Sequence, residues 1–489
     1  MQAGRQFKST LSQPMEPQRF YLVLPKLISM KRQLLVLILA WLVNIAGAQT
    51  YIKNVTVIDV VNLTKNPGQT VLIKGDRIAD VKPAEQLKIP GGATAIDGKG
   101  KYLMPGLVDA HVHFFQSGGI YTRPDVIDLR KFRSYDDEIK WVHENLQDQL
   151  QRYIRAGITT VIDPGSNLHF LQQRDSFNMK SDVPQIYMTG PLLTTYLPQV
   201  YEGMENESPF FKINTEEEAS EYVRKELPYH PDFIKIWFIV LGEPDSSARA
   251  SLPLVKAAID EAHLHGLKAA VHATQHITAQ LAVESGADYL VHSVDDEVVS
   301  DEFVQMLETK NVVLCPTLIV GRNYYEVFAQ QYQPTEEDKS LANPETLASL
   351  GQLQNLPDTL LVSRYKLMSQ RLMNKADIED SVMAVNLKKL SDAGVIIATG
   401  TDAGNIGTLH ASSYFSEIKK MQEAGMTVPK ILQASTINGA KVLGKQDEFG
   451  SITKGKLANM VLLNADPLAD LENWQKIDLV INKGKVATR

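Results

Sequence analysis

Between Leu107 and Gly404, eight short runs rich in β-branched residues alternate with stretches of helical periodicity. The runs read LVDAHVHF, GITTVIDPG, QIYMTGPLL, FIKIWFIV, LKAAVHAT, ADYLVHSV, VVLCPTLIV and VIIATGTDAG. A short apolar run bounded by turn residues fits a strand buried on both faces. Amphipathic segments such as SLPLVKAAIDEAHLHG and ITAQLAVESG supply the crossover helices. Gly266 and Gly286 stand where those helices should close. Eight such units predict an α/β fold, a (β/α)8 TIM-type barrel. The competing architecture is an open doubly wound sheet, but nothing here resembles its glycine fingerprint.

Both ends of the chain read differently. YIKNVTVIDVV, QTVLIKGDRIADV and ATAIDGKGKYL near the start, and NMVLLNADPL and KIDLVINKGKVAT near the end, alternate apolar and polar residues between Gly and Asp turns. They predict a small β-sandwich domain built from both chain ends. Residues 49–104 form its first part, residues 446–489 its second, and residues 105–445 the barrel. Residues 1–48 lie outside the fold. The stretch MKRQLLVLILAWLVNIAGAQT has a basic pair, Lys31 and Arg32, an apolar core from Leu34 to Val43, and small residues at Ala46 and Ala48. That is the layout of a secretory signal peptide cut after Ala48. The core is short for a membrane span, which needs roughly 20 residues. The expectation is an exported protein, periplasmic or secreted, with no stable membrane insertion after cleavage. A retained anchor is the alternative, and translation starts at Met1 or at Met30.

Composition narrows the function. The formal charge is −7, and no basic run with interleaved aromatics suggests nucleic acid. A single cysteine, Cys315, excludes an intramolecular disulfide and any multi-cysteine metal cluster. A homo-oligomer is left open.

The chemistry-bearing residues fall at strand ends. In such a barrel the working side chains project from the C-terminal ends of the strands, and residues i and i+2 share a face. The first run ends in His111 and His113, the fourth carries Lys235, the fifth His272, the sixth His292 and the eighth Asp402. Four imidazoles and a carboxylate are nitrogen and oxygen donors suited to zinc, and also to manganese, cobalt or nickel. Lys235 is the odd member, because an ammonium has no lone pair. Burial between ligands should lower its pKa, and the neutral amine could take up carbon dioxide as a carbamate able to bridge two metals. A simple ion pair at Lys235 and an Asx turn at Asp402 are the structural alternatives.

The motifs MPGLVDAHVHF, AGITTVID, DFIKIW, AAVHAT, YLVHSVDD and GTDAG, followed by ASTINGAKVLGKQDEFGSITKGKLANMVLLNADPL, occur in the order found in one family. From about residue 50 onward the chain resembles the urease-related, metal-dependent amidohydrolase superfamily, closest to its imidazolonepropionase-like and prolidase-like branch. The resemblance implies two divalent metal ions, expected to be zinc. His111, His113 and Asp402 would hold the more buried ion, His272 and His292 the more exposed one, and a carbamate on Lys235 would bridge both. It also implies hydrolysis of a C–N bond in a small-molecule substrate by metal-bound hydroxide, with Asp402 moving the proton. A prolidase-like dipeptidase or N-acyl amino acid hydrolase is the expected activity. The alternatives are a mononuclear imidazolonepropionase-type cyclic amide hydrolase or deaminase, or, in another class, a non-catalytic binding member. One departure is Asn459, where the family pattern Gly-Lys-x-Ala-Asp has aspartate.

The segment from Gly321 to Gly394 exceeds what one helix needs, and long barrel-loop insertions often form lids. Arg322, Tyr324, Tyr325, Arg364 and Tyr365 are candidates for the mouth. His169, His410, Arg364 and Tyr365 are the residues expected to meet a substrate carboxylate.

Overall fold

The computed structural model describes residues 49–204 and 207–487. The signal-peptide reading therefore falls outside the described residues. No helix among them is long and apolar enough to cross a membrane.

All eight runs contain strands, and these pair in parallel. Leu107–Asp109, Ile158–Asp163 and Gln185–Met188 form one sheet. Phe210–Lys212, Leu192–Thr194, Ile234–Trp237, Ala269–His272, Tyr289–Val291, Val313–Cys315 and Ile396–Ile397 form the other, in that spatial order. The third run is split between the two. Its first half pairs with the second strand, through Ile162–Tyr187, and its second half with the fourth, through Leu193–Ile236. The interruption falls at Thr189–Pro191, where proline has no N–H to give. Buried Glu226 takes over there, accepting from Gly190 N at 3.0 Å and from the Thr189 hydroxyl at 3.1 Å. Burial pushes its carboxyl up to about 8. Backbone bonds also join the last run to the first: Ala110 N to Thr399 O at 2.9 Å, Asp402 N to His111 O at 2.8 Å, and His113 N to Ala403 O at 2.7 Å. The strands thus follow one another in ring order, but the ladder is broken into two sheets rather than closed continuously.

Helices cover the outside for local reasons. Tyr135–Arg155 starts at Ser134, whose Oγ accepts from Asp137 N at 3.1 Å. Its acidic first turn suits the helix dipole. Ile139, Val142, Leu146, Leu150 and Tyr153 give it a buried stripe at helical spacing. Gly266 and Gly286 follow Pro244–Leu264 and His276–Glu284 with φ of +71° and +106°, as their place in the sequence suggests. The Gly321–Gly394 segment holds helices Val320–Phe328, Glu336–Leu341, Pro344–Leu350 and the 35-residue Thr359–Ala393.

The chain ends meet as expected, packing around one shared apolar core. Tyr102–Pro105 runs antiparallel to Met460–Leu463 on one edge and parallel to Gln49–Asp59 on the other. The two ends join edge to edge in one eight-stranded sheet, and its far strand Arg77–Pro83 bonds back to residues 455–458, through Ile78 N to Lys456 O at 2.9 Å. Alternating residues, among them Val71, Ile73, Leu103, Met460 and Leu462, bury one face. Asn459 stands where aspartate was expected; its Oδ1 accepts from Lys483 N at 2.7 Å, while its buried Nδ2 has no partner.

The first and last strands approach closely at Gly400. A Cβ there would lie 2.5 Å from Cys315 Sγ and 2.7 Å from the backbone N of His111. Gly400→Ala is therefore expected to cost about 1–3 kcal/mol by overpacking. Chemical denaturation should show a lower midpoint, and a wild-type midpoint would mean the last strand approaches the first less closely than described.

Candidate active site

Strand alternation sets Asp109, His111 and His113 on one face, with a separate task for each. Asp109 Oδ2 accepts from the Thr401 hydroxyl at 2.9 Å, and Oδ1 from Thr401 N at 3.1 Å and His111 N at 3.3 Å. That carboxylate ties the first strand to the last and so sets His111 against Asp402. Nε2 of His111 lies 3.0 Å from Nε2 of His113, and Asp402 Oδ1 lies 3.3 Å and 3.1 Å from the two. In a tetrahedral zinc site each donor stands about 2.0–2.1 Å from the ion, which puts neighbouring donors about 3.3 Å apart. The three atoms thus have the spacing of a metal's ligands.

The ring orientations agree. His113 Nδ1 must donate to the carbonyl of Gly165, 2.6 Å away, so Nε2 is the nitrogen that faces the cluster. His292 Nδ1 is bonded to Thr317 Oγ1 at 2.6 Å. The His292 ring centre lies 5.1 Å from that of His111 and 4.4 Å from that of His272. Burial pushes His111, His272 and His292 well below the usual imidazole range, and their mutual repulsion adds to this. Burial also opposes a charge on His113, but Asp163 and Asp402 outweigh it and hold that ring at about 9. These carboxylates favour positive charge at the position where an ion would sit.

Lys235 is 1% exposed, and its Nζ has no hydrogen-bond partner. Burial brings it down to about 7, against the pull of Asp402. An unpartnered amine of this kind inside a ring of ligands argues against a simple ion pair. Asp402 Oδ1 and His111 Nδ1 are likewise buried without partners. The residues present therefore fit a divalent metal.

Backbone strain collects at the same place. His292 and Asp402 have φ of +77° and +62°, each costing about 1–3 kcal/mol in a non-glycine residue. His292 N is anchored to Cys315 O at 2.8 Å, and the Asp402 carbonyl accepts from Asn405 Nδ2 at 3.1 Å. Asn405 is held in turn by half-buried Arg123 and by Tyr324, both 2.5 Å from its Oδ1. Asp109, Asp163, Arg123 and Asn405 were not singled out from the sequence. Asp109 alone had a legible signal, lying two residues before His111 on the same face.

The cluster floors a cavity of about 450 Å³ with a largely aromatic and aliphatic wall that includes Phe210, Trp237, Phe328 and Met383. Of the five candidates for the mouth in the Gly321–Gly394 segment, Arg322, Tyr324, Tyr325 and Tyr365 line it. The carboxylate-binding set does not assemble. His410 is buried with both ring nitrogens used, one towards Tyr153 OH and one towards Gln116 O, each at 2.9 Å. Arg364 is exposed on its helix, one residue round from Tyr365. His169 stands outside the cavity, paired with Glu207. Tyr365 reaches the cavity, but its hydroxyl donates to Val126 O at 3.0 Å. Both guanidinium groups of the wall are neutralised. Arg123 makes bonds of 2.8 and 2.6 Å to Asp125, and Arg322 binds Asp380 at 2.6 Å and Asp377 at 2.7 Å.

Comparison with known proteins fits this geometry. Residues 102–487 match the amidohydrolase family. The imidazolonepropionase of Flavobacterium johnsoniae is 20% identical, over 85% of this chain and 89% of its own. Among solved structures, a Xaa-Pro dipeptidase is 23% identical with a TM-score of 0.66, over 90% of this chain and all of its own. Phenylurea hydrolase B is 22% identical with a TM-score of 0.67, over 90% and 97% of the two chains. At these identities the solved structures speak for a TIM-like α/β fold and not for a substrate. The family match across most of the chain, together with the buried cluster, places this chain in the amidohydrolase family, as a metal-dependent hydrolase of C–N bonds.

Proposed function

We propose that this chain opens a cyclic amide, and that His111, His113, His272, His292 and Asp402, with Lys235 as a carbamate, hold two divalent ions for the purpose. The observation that carries the metal chemistry is the meeting of Nε2 of His111, Nε2 of His113 and Asp402 Oδ1 within 3.3 Å in a buried site. Zinc is the ion the donor set suits best; bound there, it would lower the pKa of water and polarise a carbonyl. Asp402 is the proton carrier. Burial would raise its carboxyl, but His113 beside it holds it below the usual range, so it stands ready as a base. The proton it takes from water goes to the leaving nitrogen as the C–N bond breaks and the C–O bond forms.

The choice of a ring amide rests on the cavity's charges. Its two guanidinium groups are already paired, and His169, His410 and Arg364 do not line it, so a dipeptide's free carboxylate meets no unpaired guanidinium in the cavity wall among the described residues. The kinship with imidazolonepropionases supports the same reading.

Lys235→Ala is expected to lose one bound metal ion relative to wild type by elemental analysis. Activity should fall by about 100-fold or more, since even residues that only orient metal ligands are worth 10–100-fold. Short carboxylic acids should restore part of both. Full activity in Lys235→Arg would exclude the carbamate.

Substrate class is tested by rates on a neutral lactam, a dipeptide and that dipeptide's C-terminal amide. The lactam should turn over fastest, and the free acid should be no better than its amide. A free acid preferred tenfold or more would reveal a carboxylate partner, because a charge-assisted hydrogen bond is worth about 1.5–3 kcal/mol.

A further inference from the structure

A second group of metal-ligand residues stands outside the cavity and has no part in the chemistry above. His143 comes from helix Tyr135–Arg155, His169 from helix Leu168–Asn178, and Glu207 from the segment that runs into strand Phe210–Lys212. One donor atom of each lies within 4.8 Å of the others. His143 Nε2 is 3.3 Å from Glu207 Oε2, and His169 Nδ1 bonds Oε1 of the same carboxylate. The two imidazole centres are 4.3 Å apart, with their planes 33° from one another.

We propose that His143, His169 and Glu207 form a peripheral site for a divalent transition-metal ion of the zinc class. Two imidazoles and one carboxylate are a donor set that zinc takes when a fourth position is left to water. The 3.3 Å separation of Nε2 and Oε2 is again that of neighbouring donors on a tetrahedral ion, each about 2.0–2.1 Å from the metal. Solvent can supply the fourth ligand, since the side chains of His143, His169 and Glu207 are 20%, 40% and 28% exposed. The donors are also held in place. The His143 ring stacks on Phe170 at 4.3 Å and 14°. Asn167 Nδ2 donates to Glu207 Oε2 at 2.9 Å, while the Asn167 carbonyl oxygen caps the helix that carries His169. The paired histidines hold the Glu207 carboxyl below its usual range, against a desolvation effect that would raise it.

The position gives such an ion a role. Glu207 lies three residues before Phe210, which stacks on Trp237 at 4.9 Å in the cavity wall, and Trp237 lies 6.1 Å from His272. An ion bridging Glu207 to the two helices would pin the segment that carries this aromatic wall.

The test is a metal count on chelator-stripped full-length protein titrated with zinc. Wild type should bind one more zinc per chain than His143→Ala or His169→Ala. Cobalt in place of zinc should show a visible d–d band that both variants reduce. Zinc should raise the Tm of wild type more than that of either variant. Glu207→Gln keeps the shape of the cluster and should show the same loss if an alanine variant fails to fold. Equal zinc content and equal cobalt spectra in wild type and the folded variants would overturn the proposal and leave imidazole–carboxylate hydrogen bonds only. The count is a difference, so it does not depend on how many ions the cavity holds; failure of the cavity reading appears separately, as unchanged metal content in Lys235→Ala.

Discussion

Asp109 and Thr401 are 292 positions apart in sequence, yet the carboxylate of one accepts from both the backbone N and the hydroxyl of the other. The same carboxylate takes the N–H of His111. These bonds lie inside the barrel, where an unpaired polar group would cost about 1–3 kcal/mol. The arrangement is therefore strongly favoured to form complete. Once it forms, His111, His113 and Asp402 cannot separate, because their backbones are locked in register by the bonds between residues 110–113 and 399–403. Gly400 is what permits the approach, since any side chain there would meet Cys315 and the His111 backbone.

The price of that convergence is local. Asp402 and His292 adopt left-handed backbone, three imidazoles are driven to neutrality, and an amine is buried with no partner. None of this favours the folded chain on its own. It is sustained by bonds around it, through Asn405, Arg123 and Tyr324 on one side and Cys315 and Thr317 on the other. A divalent cation held there would relieve the same tension, because it would supply the charge that the carboxylates favour and take up the lone pairs. The buried network and the metal chemistry are in this sense one design.

Substrate selection belongs to a different layer. The helices between Gly321 and Gly394 and the segment leading to Phe210 build much of the wall, and the two arginines that line it, Arg123 and Arg322, are spent on internal carboxylates. What remains facing the ligands is mostly aromatic and aliphatic. A wall of this kind selects by shape and desolvation more than by charge.

The ring order of eight strands, the convergence of the strand-end side chains and the family were legible in the sequence, because strand alternation and strand-end placement are local rules. Asp109 could have been read the same way, from its spacing to His111. The joining of the chain ends as one sheet was not legible, since it depends on which edges Tyr102–Pro105 leaves free. The substrate-facing residues were hidden for a similar reason. His169, His410, Arg364 and Tyr365 are all plausible by position in the chain. Only the fold shows that one is claimed by Glu207, one by Tyr153 and Gln116, one faces solvent, and one reaches the cavity with its hydroxyl already committed. Sequence fixes which groups a strand end can offer. Tertiary structure decides which of them are still free, because a hydrogen-bond partner hundreds of residues away leaves no trace in local spacing.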